Sequence, residues 1–163
     1  MAAATALLFS ITTLGISYQD FSRRAIHVLL LVLLLALGIW DAFHTGRPFM
    51  SMLLILSFVV AILTMMILYL RLKSGYWINP LKAHLGLGDV LFFIAVIPLF
   101  SPHGYLWFFI SGLLGSVVVY SLFRHLIGKQ SVPLAGMLSA YLLGLKILES
   151  QWGYSMFNLN FPV

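Results

Sequence analysis

Charged side chains are scarce in this sequence, and cysteine is absent. Among its 163 residues there are nine Lys or Arg, four Asp or Glu and no Cys. Soluble domains carry about 25% charged residues, whereas this chain carries 8%, so its residues cannot form a water-facing shell. The lack of cysteine excludes disulfide bonds, a thiol nucleophile and a Cys-ligated zinc site. The composition therefore places the chain outside the soluble class of proteins.

Hydrophobic residues make up 62% of the chain, and the mean hydropathy is +1.07. Short polar segments divide them into six apolar runs, which predict an all-α, polytopic membrane protein with about six transmembrane helices. Residues 1–163 are expected to form a single membrane domain. Several runs are shorter than a span of about 20 residues, so the helices are expected to extend into the polar flanks. The predicted spans cover about 2–17, 25–40, 49–70, 85–100, 105–122 and 134–148.

Lys and Arg are unevenly distributed over the predicted turns. The turns after the first, third and fifth spans are basic, whereas the opposite side carries only Arg47 and Lys146. Because basic turns stay in the cytoplasm, the pattern predicts a multi-pass protein of the cytoplasmic (inner) membrane with both termini on the outer side. The net charge of +5 is interpreted as orientation and attraction to anionic membrane lipid, and not as nucleic-acid binding. The basic residues of the cytoplasmic turns are Arg23, Arg24, Arg71, Lys73, Lys82, Arg124 and Lys129.

Two of the four carboxylates have a simple structural explanation. Asp41 is expected in an outer turn, between Trp40 and Arg47, where water is available. Glu149 follows Lys146 by three residues, a spacing that allows an ion pair on one helix face.

Asp20 and Asp89 have no such explanation. Asp20 closes the first predicted span and Asp89 opens the fourth, both at the cytoplasmic end. An ionisable group at membrane depth is costly and indicates function, and Leu85 and Phe93 occupy the positions one turn from Asp89, so Asp20 is the expected partner. Two close carboxylates in a low-dielectric site share a proton. One then acts as an acid and the other as a base, which activates water against a peptide carbonyl, without a metal or cofactor.

Glycines precede the second acid in the run Gly86-Leu87-Gly88-Asp89. Without side chains, Gly86 and Gly88 are expected to adopt unusual backbone dihedrals and to let a substrate backbone come close. Membrane helices tolerate such a break where it is buried or lines a wet cavity. Pro98 is expected to kink or end the fourth span.

The two acidic segments resemble the motifs of the prepilin peptidases (type IV leader peptidases) and of the related preflagellin peptidases, which are Gly-x-Gly-Asp intramembrane aspartyl proteases. Gly86, Gly88, Asp89 and Val90 match the second family motif. Asp20-Phe21-Ser22-Arg23-Arg24-Ala25-Ile26 keeps the acid, the basic residues and the Ile of the first. Val132-Pro133-Leu134-Ala135-Gly136 is similar to the family's entry into the last span.

The resemblance implies that Asp20 and Asp89 form a catalytic dyad. It implies an endopeptidase that removes the short basic leader of type IV pilin-like precursors at the cytoplasmic membrane face. His27 and Val28 stand where the family has Pro-Asn, and Leu91 replaces a Lys, which marks a divergent member. The chain has no large loop with paired cysteines, so the N-methyltransferase activity of many bacterial members is not supported.

Two other functions stay open at this point. One is an ion-coupled membrane transporter that uses Asp89, and the other is a catalytically silent membrane assembly subunit. The turn over 71–84 is either a gate above the acids or an interfacial segment. Small residues in the sixth span, Gly136, Ala140 and Gly144, predict close helix packing, with a homo-oligomer as the alternative.

Overall fold

The computed structural model describes residues 2–74, 86–127 and 133–152. Helices joined by short turns make up these ranges, which contain no strand, and this confirms the predicted all-α class. A 3-10 turn, Ile97–Leu99, follows the fourth helix. The six helices are α1 (Ala2–Arg23), α2 (Val28–His44), α3 (Phe49–Ser74), α4 (Leu87–Ala95), α5 (Pro102–Ile127) and α6 (Leu134–Trp152).

The helices end beyond the predicted apolar runs, except in the fourth span, and α2 begins at Val28 and not at the predicted residue 25. There the helix α4 ends at Ala95, and Pro98 lies in the 3-10 turn that follows. Proline has no N–H for the helical hydrogen bond and disfavours the α conformation at the residue before it. The prediction that Pro98 ends this helix is confirmed, and the predicted span 85–100 is not one continuous helix.

Within the described ranges, two helices are long and apolar enough to cross a membrane. They are Phe49–Lys73, with a mean hydropathy of 2.8, and Pro102–Leu122, with a mean hydropathy of 1.7. Both expose most of their apolar side chains. An apolar and exposed helix surface of this length fits a lipid environment better than water.

The buried core has residues from all six helices and the 3-10 turn. The helix α1 packs most extensively against α6, and α2 packs against α1, α4 and the 3-10 turn. The helix α5 packs against α6 and α3. This arrangement brings the end of α1 and the starts of α4 and α6 to the same end of the bundle. Fully buried side chains in this core include Ile16, Leu34, Phe92, Leu138 and Leu142.

Ion pairs lie at the opposite end of the bundle. Asp41 belongs to α2 rather than to a turn, because the helix continues to His44. The predicted position of Asp41 in the outer turn is therefore wrong. Its Oδ2 accepts a hydrogen bond of 2.8 Å from Arg47, whose side chain is 8% exposed and also donates to the Pro98 carbonyl at 2.7 Å. The predicted pair between Lys146 and Glu149 is confirmed, with 2.9 Å between Nζ and Oε2.

Candidate active site

The two predicted acids meet at the first turn of α6. Asp20 Oδ2 accepts a hydrogen bond of 2.5 Å from the backbone amide of Gly136. Asp89 Oδ1 accepts one of 3.0 Å from the amide of Ala135. Because these amides are consecutive along the backbone, the two bonded oxygens lie at most about 9 Å apart. The structure thus brings together Asp20 and Asp89, which are 69 positions apart in the numbering of the chain.

Asp20 is held in the last turn of α1, where its side chain is buried. Close approach of α6 makes its hydrogen bond possible. A Cβ at Gly136 would lie 3.0 Å from both Cβ and Oδ2 of Asp20, which is shorter than an ordinary contact. Ser17 Oγ adds a hydrogen bond of 3.1 Å to the Gly136 carbonyl. The absence of a side chain at Gly136 therefore decides how closely the two helices meet beside the acid.

Asp89 lies in the first turn of α4 and closes that turn itself. Its Oδ2 accepts a hydrogen bond of 3.2 Å from the Gly86 amide, while its own amide donates to the Gly86 carbonyl at 3.0 Å. An acidic side chain in the first helical turn also interacts favourably with the unpaired N–H groups there. The carboxylate of Asp89 thus connects the start of α4 to the start of α6.

The expectation of unusual dihedrals at the two glycines is wrong. Gly86 has φ −66° and ψ 140°, which any residue adopts, and Gly88 is helical. The missing side chains of these glycines leave space for the neighbouring side chains of Asp89 and Ile26. A Cβ at Gly86 would lie 3.1 Å from Asp89 Oδ2, and one at Gly88 would lie 3.3 Å from Ile26 Cδ1.

A tight turn after α1 brings Ile26 against α4. Arg24 has a φ of +52°, in the left-handed region that costs a non-glycine residue about 1–2 kcal/mol. Its amide donates to the Asp20 carbonyl at 3.1 Å, and Gln19 Oε1 accepts a hydrogen bond of 2.8 Å from the His27 amide. This turn places the Arg24 guanidinium where it attracts the Asp20 carboxylate.

A cavity of about 750 Å³ opens over the acids. Both acids, both glycines and Arg24 lie on its wall. The two carboxylates repel each other, and their burial further disfavours a state in which both are ionised. Such a pair favours a single shared proton, so it can present one acid and one base to a molecule in the cavity.

Sequence reasoning missed three contributions to this site. The amides of Ala135 and Gly136 hold the acids, and Arg24 supplies a positive charge, whereas we interpreted Gly136 as packing and Arg24 as a topology signal. The Pro133-Leu134-Ala135-Gly136 run was the available signal for the amides. Among the side chains that the structure describes, no three His, Asp or Glu come together as metal ligands. Beyond Ser74, the predicted gate over 71–84 lies outside the described residues.

No protein-family model matches this chain, and no curated protein or solved structure matches it either. The chemistry of the site is therefore argued from its residues and their geometry.

Proposed function

We propose that the protein is an intramembrane aspartic endopeptidase with Asp20 and Asp89 as its catalytic pair. The observation that carries the proposal is the meeting of these two acids at consecutive amides, those of Ala135 and Gly136. Acids of the same charge are rarely buried together for stability, because each disfavours ionisation of the other. Their presence in the wall of one cavity supports a catalytic role.

The proposed reaction is hydrolysis of a peptide bond. The ionised carboxylate removes a proton from a water molecule as the water oxygen bonds to the scissile carbonyl carbon. The protonated carboxyl donates to the carbonyl oxygen and stabilises the tetrahedral intermediate. As the C–N bond breaks, the carboxyl that took the water proton gives it to the leaving amine, and the other carboxylate takes back a proton from the oxygen of the intermediate, so that the pair again holds one proton. Gly86 and Gly88 lie in the cavity wall beside Asp89, where the substrate backbone would approach.

We propose a multi-pass protein of the inner membrane with the acids near its cytoplasmic face and both termini outside. The two long apolar helices support membrane insertion. The orientation is supported by Arg24, Arg71 and Lys73. These basic residues lie at or just after the C-terminal ends of α1 and α3, at the end of the bundle where the acids lie. Basic residues at the cytoplasmic face also attract anionic lipid.

The proposed substrates are type IV pilin-like precursors, cleaved between a short basic leader and an apolar segment. The resemblance of the two acidic segments to prepilin peptidases supports this substrate class. A membrane-embedded acid pair also suits a scissile bond next to an apolar segment, because the segment can remain in lipid while the bond reaches the site.

The test is cleavage of a purified pilin-like precursor by the purified protein in detergent micelles. Asp20→Asn and Asp89→Asn should each lower the cleavage rate by at least about a hundredfold. Glu149→Gln is the matched control: it removes one carboxylate about 20 Å away along α6 and should leave the rate unchanged. Full processing by either Asp variant would refute the proposed catalytic pair.

The same preparations separate the two other functions. A transporter would move ions into liposomes, lose that transport in Asp89→Asn and leave the precursor intact. A silent assembly subunit would do neither, but would still bind the precursor when both acids are replaced.

A further inference from the structure

A cleft extends from the acid pair along one face of α5. It forms part of the 750 Å³ cavity and lies between α5 and the facing sides of α2 and α4. We call this space the α5 cleft. The lining residues from α5 are Leu113, Ser116, Val117 and Tyr120, and those opposite are Val28, Leu31 and Leu91.

The α5 residues of the cleft form one helical face. Their spacing of three, one and three residues places them on a stripe that runs about 10 Å from Leu113 to Tyr120. This length corresponds to two helical turns. Val117 is 66% exposed, so the stripe is accessible from the side of the bundle. The cleft is therefore long enough to hold two turns of another helix.

The charged residues of the cavity wall come from the end of α1, the turn after it and the start of α4. They are Asp20, Arg24 and Asp89, whereas the lining residues that α5 contributes carry no charge. The two carboxylates disfavour the anionic head group of a phospholipid. A polypeptide can match this distribution of charge. Its apolar helix would lie against the uncharged residues of α5, and the polar, uncharged peptide segment at the end of that helix would lie beside the acids.

We propose that the α5 cleft binds the apolar helix of the substrate, with the first two turns after the scissile bond against Leu113, Val117 and Tyr120. This inference rests on the proposed endopeptidase function and assigns the substrate-binding surface of that site. Substrate then enters sideways from the lipid, between α5 and the α2–α4 side. The peptide bond at the end of the apolar helix reaches Asp20 and Asp89.

Two adjacent valines provide the test. Val117 lines the cleft, whereas Val118 is similarly exposed (57%) and does not line it. Because the chain has no cysteine, Val117→Cys and Val118→Cys each introduce a single thiol. Each is combined with a precursor that carries one cysteine at successive positions after the cleavage site, and disulfide cross-links are formed by oxidation. Val117→Cys should cross-link at every third or fourth precursor position, and Val118→Cys at least about tenfold less, because only one of the two faces the bound helix.

Bulky variants give a kinetic measurement that does not depend on oxidation. Val117→Trp should raise KM for the precursor about tenfold and change kcat by less than about threefold, because it occupies binding space away from the reacting atoms. Val118→Trp should change neither value. Because both valines are exposed, neither Trp substitution should impair folding. The Tm of both variants, measured by thermal unfolding, checks this.

The outcomes separate the inference from the function. Equal cross-linking from both positions, or an unchanged KM in Val117→Trp while cleavage persists, would overturn the cleft and leave the endopeptidase intact. An unchanged KM is also the result expected if lipid fills the cleft. Cross-linking specific to Val117→Cys without any cleavage by the wild-type protein would retain the binding surface and refute the endopeptidase.

Discussion

Replacing Gly136 with alanine tests how the acids are held. The new Cβ would lie 3.0 Å from Cβ and Oδ2 of Asp20 and 3.3 Å from Cδ2 of Phe21. Carbon atoms in ordinary contact are about 3.5–4.0 Å apart, so α1 and α6 must separate or the Asp20 carboxyl must turn away. Both responses lengthen the hydrogen bond from the Gly136 amide. The substitution thus displaces one acid and leaves its chemical group intact.

The size of the effect follows from that hydrogen bond. A hydrogen bond to a charged group contributes about 1.5–3 kcal/mol, and about 1.4 kcal/mol corresponds to a tenfold change in rate. Displacement of a catalytic group by 1 Å costs about a hundredfold in rate. We therefore expect kcat of Gly136→Ala to fall by between about tenfold and a hundredfold. KM should change by less than about threefold, because Gly136 does not line the substrate cavity.

The same helix offers a matched control. A Cβ at Gly144 would meet nothing within 4 Å, and alanine favours the helix by about 1 kcal/mol over glycine. Gly144→Ala should keep full activity with an equal or higher Tm. Gly112→Ala serves as a packing control, since its Cβ would lie 2.6 Å from Leu138 Cδ2. It should lower Tm but reduce kcat less than Gly136→Ala does.

Precursor cleavage followed on gels gives kcat and KM, and thermal unfolding in detergent gives Tm. If Gly136→Ala folds and keeps more than about a third of the wild-type kcat, the close approach of α6 does not position Asp20 for catalysis. Equal losses in Gly136→Ala and Gly144→Ala would equally refute the reasoning, because they would assign the loss to helix flexibility.

Two further predictions concern the ion pairs and the charge state of the acids. Arg47→Ala should lower the free energy of unfolding by about 2 kcal/mol, because it removes the charged group that donates to Asp41 and to the Pro98 carbonyl. Lys146→Ala breaks a more exposed ion pair and should lower it by less than about 1 kcal/mol. Thermal unfolding in detergent compares the two variants, and equal shifts in Tm would contradict the difference in burial. The rate of precursor cleavage should fall on both sides of an optimum pH, because one acid must be ionised and the other protonated, and a rate that only rises with pH would refute the shared proton.

The positions of the helices were largely predictable from the sequence. Apolar runs locate helices because a stretch such as Phe49–Ser74 offers no other way to satisfy backbone polar groups in an apolar environment. Helix ends were less predictable, since the hydrogen bonds of α1 continue through the polar residues up to Arg23. The break at Pro98 was predictable because it depends on one residue's covalent structure.

The acids of the site were predictable, but their supports were not. Asp20 and Asp89 stand out because charge is rare in this chain and costly at membrane depth. The support at Gly136 depends on a contact between residues 116 positions apart in the chain. A glycine in a helix looks the same in sequence whether it faces a leucine, an aspartate or open space. Gly112, Gly136 and Gly144 differ in that respect only in the folded structure.

The anchoring of the two acids does not depend on the residues at which this chain departs from the prepilin peptidase motifs that it resembles. The hydrogen bonds of Asp20 and Asp89 come from backbone amides, those of Gly86, Ala135 and Gly136, and a backbone donor survives substitution of neighbouring side chains. None of the three departures, His27, Val28 and Leu91, supplies one of these bonds. The His27 amide donates to Gln19 Oε1, and Val28 and Leu91 line the cavity with apolar side chains. The departures at Val28 and Leu91 therefore change the wall of the cavity and leave the anchoring of the two carboxylates unchanged.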